Sequence, residues 1–174
     1  MKRFRLPALL VVAALAAACS KEPEGPAAAP NSPYALAADP SGGMPVTAAL
    51  AAAPKEGVVV VGRVRDMTHG LAAFMLIDST LAYCGQNAME GCKKPWDYCC
   101  YPPGKVRENL ISVVVKGKDG NVVPIERIAE LRHLDTVVVT GNLTKDKDGN
   151  VSLDASGWFR RERPKLPDDL EWPQ

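Results

Sequence analysis

Pro124-Ile-Glu-Arg-Ile-Ala-Glu-Leu131, then Thr136-Val-Val-Val-Thr-Gly-Asn-Leu143, Lys145-Asp-Lys-Asp-Gly-Asn150 and Val151-Ser-Leu-Asp-Ala-Ser-Gly-Trp-Phe159 is the stretch on which the fold turns. Pro124 opens a short segment with Ile125, Ile128 and Leu131 at helical spacing. Glu126 falls in its first turn, where a negative charge suits the helix dipole. The β-branched run 136–143 then predicts a strand, and residues 145–150 a turn into a second strand over 151–159. Asp146, Asp148 and Asn150 resemble the start of a calcium loop, but such a loop needs Gly at position six and Glu at position twelve. Val151 and Gly157 stand there, so the segment reads as a turn, as does Lys118-Asp-Gly-Asn121.

Working outward, three more strands precede the helix: Val58–Val64, Ala72–Asp78 and Leu110–Lys116. Three strands, a short helix and two strands is the order of an OB-fold, a five-stranded Greek-key barrel. Gly62 and Gly141 stand where coiled strands of such a barrel bend. A mainly β, OB-fold-like barrel with one short helix is therefore expected over residues 56–160, with a small β-sandwich as the rival. A polar tail is expected over 161–174.

The barrel is interrupted by an insert, residues 79–109, which holds Cys84, Cys92, Cys99 and Cys100, one tryptophan and three of the four tyrosines. Long loops inside compact domains are usually functional or disordered, and this aromatic content argues against disorder. Two chemistries compete. The four sulfurs can form two disulfides, each of Cys99 and Cys100 taking one of Cys84 and Cys92, worth about 3 kcal/mol apiece for loops of this length. Alternatively, four thiolates can hold a soft metal, Zn(II) or Cu(I), in a tetrahedral site. The spacing is not that of a zinc finger, and no Cys-x-x-Cys supports a thiol–disulfide redox role, which stays an outside reading. Lys93, Lys94 and Lys105 are near in sequence and are the expected counter-charges.

The segment Pro95-Trp-Asp-Tyr-Cys-Cys100, preceded by Cys84 and Cys92, resembles that of a group of small, uncharacterised exported bacterial proteins with an OB-like domain. The resemblance covers roughly residues 57–158. It implies an exported barrel with the insert as its defining feature, and it brings no catalytic role. His69 is an accessory ligand candidate; with Trp96 over the ion it would resemble small periplasmic copper-binding barrels. Asp97 reads as a turn-forming acceptor. Trp96, Tyr98 and Tyr101 read as a recognition patch or as the small core that holds such a loop. His133, just after the short helix, suits its C-terminal dipole.

The start of the chain decides the compartment. Met1-Lys-Arg-Phe-Arg5 and the apolar run from Leu6 to Ala18 have the form of a secretory signal, residues 1–18, too short for the about 20 residues of a membrane span. Ala16-Ala-Ala-Cys19-Ser20 resembles a lipobox, with Ala16 where Leu is usual, and makes Cys19 the expected lipidation site. Ser20 rather than Asp implies sorting to an outer membrane. The alternative is ordinary cleavage after Ala18, leaving Cys19 as a thiol. Residues 19–55, rich in Ala and Pro, are expected to be a disordered tether reaching on the order of 100 Å, shortened where the Ala-rich residues 46–53 form a helical turn or two. Losing the cations Lys2, Arg3 and Arg5 takes the formal charge from +1 to −2. Arg160, Arg161 and Arg163 are too small a basic cluster for nucleic acid. No nucleophile–base pair or phosphate loop appears. The expectation is a lipid-anchored periplasmic module, not an enzyme. Its insert closes one end of the barrel and meets an envelope protein or small ligand, with soft-metal binding as the alternative.

Overall fold

A computed structural model describes residues 32–86, 94 and 97–166. The expected signal 1–18, Cys19, Cys92 and Trp96 lie outside them. The elements are β1 (Met44–Pro45), α1 (Val46–Ala52), β2 (Lys55–Met67), β3 (Ala73–Ile77), α2 (Pro103–Arg107), β4 (Leu110–Val115), a 3-10 helix (Ile125–Ile128), β5 (Thr136–Lys145) and β6 (Val151–Glu162). The strands follow the order β1-β2-β3-β4-β6-β5, and β2 also pairs with β5, which closes a barrel of five long strands. This is the OB-fold-like architecture expected from the sequence, with the short helix between the third and fourth barrel strands.

Alternation along each strand builds the core. Val58, Val60 and Val64 of β2, Phe74 and Leu76 of β3, and Ile111, Val113 and Val115 of β4 point inward and are buried, as are Val137 and Val139 of β5. Ile128 and Leu131, on the predicted helical face, plug the same core. The ladder shifts between Thr140 and Gly141, where a side-chain carbon would lie 2.2 Å from the Asp154 carbonyl oxygen. Gly62 is equally confined, 2.6 Å from Leu76. Both glycines serve close backbone approach, which a coiled, closed sheet demands.

The expected tether is too long at its distal end. Residues 34–36 run beside β6: the Trp158 amide donates to Tyr34 at 2.8 Å, and the Leu36 amide donates to the Trp158 carbonyl at 2.7 Å. Arg161 grips the Asp39 carboxylate at 2.8 and 3.0 Å. Val46 and Ala49, one helical turn apart, are fully buried against the barrel. Alanine-rich sequence buries little surface by itself, but a short amphipathic turn beside a ready-made core needs little. At the other boundary β6 runs past residue 160. Arg163 makes two 2.7 Å hydrogen bonds to the buried Asp135. Among the described residues no helix is long and apolar enough to cross a membrane.

Candidate functional site

The insert leaves β3 after Ile77 and returns at Leu110, which is paired with it. Asp78 and Asn109 close its neck, the Asp78 amide donating to the Asn109 carbonyl at 2.9 Å. Within it, Ile77, Leu81 and Tyr98 form a small core of their own, with Tyr83, Tyr101, Val106 and Leu110 packed around. Ile77 and Leu110 project from the outer face of the sheet, opposite to the barrel core. So does Arg63 of β2, which stands across from Ile77. The described parts of the insert therefore fold down over the outer face of β2, β3 and β4 at their shared end. They do not simply cap the barrel mouth.

Arg63 is the residue that sequence reading missed. It is 7% exposed although its strand position faces outward, so the insert is what buries it. Its Nη1 donates to the Leu81 carbonyl at 3.0 Å and to the Tyr98 hydroxyl at 3.4 Å, and its guanidinium lies 4.8 Å from the Tyr83 ring centre. All of these partners are neutral, and among the described residues Arg63 makes no ion pair. A buried cation without a carboxylate is uncommon. It ties together the two stretches that carry the cysteines. Burial pushes the Tyr98 and Tyr83 hydroxyls above the ordinary phenol range, against the pull of Arg63, so both stay neutral.

Held this way, Cys84, Cys99 and Cys100 place their sulfurs within 4.8 Å of one another. Two backbone links set that geometry: the Cys84 amide donates to the Asp97 carbonyl at 2.9 Å, and the Tyr101 amide to the Tyr98 carbonyl at 3.0 Å. Cys84 is buried, whereas Cys99 and Cys100 are exposed. The Cys84 and Cys99 sulfurs are 3.2 Å apart, against about 2.0 Å in a disulfide. The expected staple is thus not formed between Cys84 and either adjacent cysteine. The insert's own core and the Arg63 hydrogen bonds hold it in place of such a staple. Three sulfurs at this spacing suit a soft ion, since a tetrahedral site with metal–sulfur bonds near 2.3 Å separates its sulfurs by about 3.8 Å.

The other candidates sort clearly. Asp97 is a turn residue, its carboxylate accepting the Tyr98 amide at 2.7 Å. Tyr98 is core, and the Tyr101 hydroxyl accepts the Ala82 amide at 3.1 Å. Tyr98 is buried and Tyr101 half-buried, so they do not form an exposed patch. Lys93 lies outside the described residues, Lys94 and Lys105 are exposed, and the buried cation beneath the insert is Arg63. His69 is exposed at the far end of β3 from the insert, about 15 Å away at the rise of a strand, and cannot ligate the cluster. An open cleft of about 350 Å³ borders the cluster, with Cys99, Tyr98, Tyr101, Leu110, Arg65 and Arg107 in its walls.

No protein-family model matches the chain, and no curated protein does. Among solved structures, 17 chains match. One is an OBody bound to hen egg-white lysozyme, 17% identical, with a TM-score of 0.41, covering 72% of this chain and 100% of that one.

Proposed function

We propose that the chain is a soft-metal-binding module, exported and anchored to a membrane by lipid on Cys19. The observation that carries the metal reading is the convergence of three thiols, from two separate stretches of the insert, within 4.8 Å. Thiolates select Cu(I) and Zn(II) over hard cations. Cu(I) accepts three sulfurs; Zn(II) needs a fourth donor, for which Cys92 is the candidate. The exposure of Cys99 and Cys100 leaves the ion reachable from outside, which suits transfer to an envelope partner better than a sealed structural site.

The protein, isolated in detergent and reduced, is titrated with Cu(I) or Zn(II) against a competing chelator. One ion per chain is expected, lost in Cys84→Ser and in Cys99→Ser. Absence of stoichiometric binding contradicts the metal reading. Release of the Cys19→Ala variant from the membrane fraction is expected of the anchor; unchanged membrane retention contradicts it.

The 3.2 Å contact between Cys84 and Cys99 favours one further reading. Oxidation would join them, and the insert would then serve as a disulfide-stapled face for an envelope protein or a small ligand. Thiol counting on protein taken directly from cells under denaturant separates the two.

A further inference from the structure

The cysteine cluster is asymmetric. Cys84 is 2% exposed, whereas Cys99 is exposed and forms part of the wall of the 350 Å³ cleft. That volume falls in the range of small-molecule sites. Tyr98, Tyr101 and Leu110 give the cleft apolar surface, and Arg65 and Arg107 give it two cations. Asp97 also lines it, but that carboxylate is engaged by the Tyr98 amide. Arg65 is paired with Asp66, and Arg107 has no ion-pair partner among the described residues. An exposed cysteine in the wall of a cationic cleft, with the sulfur of a buried cysteine 3.2 Å from its own, supplies the parts of a two-thiol exchange centre.

We propose that Cys99 and Cys84 reduce a compact, carboxylate-bearing disulfide that docks in this cleft. Cys99, its proton given to water, attacks one substrate sulfur. The substrate S–S bond breaks, a mixed disulfide forms on Cys99, and the departing thiolate takes a proton from water. Cys84, likewise deprotonated, then attacks the Cys99 sulfur. The mixed disulfide breaks, the Cys84–Cys99 bond forms, and the second thiol leaves. Two electrons pass from the chain to the substrate, whose one disulfide becomes two thiols. Closing the sulfurs from 3.2 Å to bonding distance takes about 1 Å of movement. The proposal does not rest on the metal reading, although a bound ion would occupy the same sulfurs and block the exchange.

The test uses the full chain, reduced and freed of metal by a chelator, with two probes: glutathione disulfide, which is anionic, and cystamine, which is cationic. Intact-mass and peptide mapping follow the products. Glutathione disulfide is expected to react about tenfold faster than cystamine at low salt, giving a Cys84–Cys99 disulfide. In Cys84→Ser the glutathione adduct is expected to remain on Cys99. In Arg107→Glu the preference between the probes is expected to fall at least about fivefold. Adducts on other cysteines, a disulfide that excludes Cys84, or equal rates with both probes would overturn the proposal. The separate metal titration is untouched by any of these results.

Discussion

Arg63 stands at an outward position in the middle of the apolar run of β2, where a valine would serve the barrel equally well. Its effect is on the insert: it joins the Leu81 carbonyl, three residues before Cys84, to the Tyr98 hydroxyl, on the residue before Cys99. Arg63→Met keeps much of the volume and removes the hydrogen bonds, leaving a buried carbonyl without its donor. A loss of about 1.5–3 kcal/mol is expected for hydrogen bonds to a charged group, read by denaturant unfolding. Cleavage within the insert by a protease should rise more than cleavage within the barrel. His133 supplies a second prediction. Burial pushes its imidazole below the ordinary histidine range, and its Nδ1 is buried without a hydrogen-bond partner. The neutral ring is therefore the form the fold accepts. Because the folded value lies below the unfolded 6.5, its stabilising effect is complete above that pH and fades as pH falls through the folded value. The melting temperature of the native chain should fall on acidification from pH 7 to 5, and His133→Gln should flatten that dependence. The sequence placed His133 at a helix end, where a dipole would favour the cation. What it could not show is the burial of this loop, which desolvates the ring and outweighs the opposing hydrogen bond with the Arg65 backbone.

At the scale of elements, Asp78 links three of them. Its carboxylate accepts the Thr47 amide and hydroxyl near the start of α1, both at 3.0 Å, and the Thr80 amide and hydroxyl at 3.1 and 2.8 Å. Thus the end of β3, the first turn of the insert and α1 share one anion. Burial pulls the Asp78 carboxyl upward, but these four hydrogen bonds outweigh it and hold it below 3.8. A depressed value means that the stabilisation is present above that pH and lost as pH falls through the folded value. Asp78→Asn should destabilise the chain by about 1–2 kcal/mol at neutral pH, and the difference should shrink below pH 4. Amide exchange should quicken in α1. The barrel strands were legible because periodic β-branched runs and turn residues are local signals. A helical turn or two was legible in the Ala-rich residues 46–53, but the docking of α1 was not, since so short a helix is held by the barrel core it packs against. The cysteines were legible as a cluster from composition alone. Their arrangement was not, because it depends on Arg63, some twenty residues before Cys84 in a strand that otherwise reads as plain core.

For the molecule as a whole, the barrel is a rigid wall against which a cysteine-bearing insert is folded. Its small apolar core and a buried arginine bring three sulfurs together without closing them off. A site of this kind binds an ion most directly through sulfur, so the coordination shell of the loaded protein is what separates metal binding from incidental proximity. X-ray absorption of the full chain loaded with one equivalent of Cu(I) or Zn(II) measures it. The account predicts a shell of sulfur alone, three for Cu(I) and four for Zn(II), at about 2.2–2.4 Å. A shell dominated by nitrogen or oxygen, or an ion that washes out of the reduced protein, would contradict it.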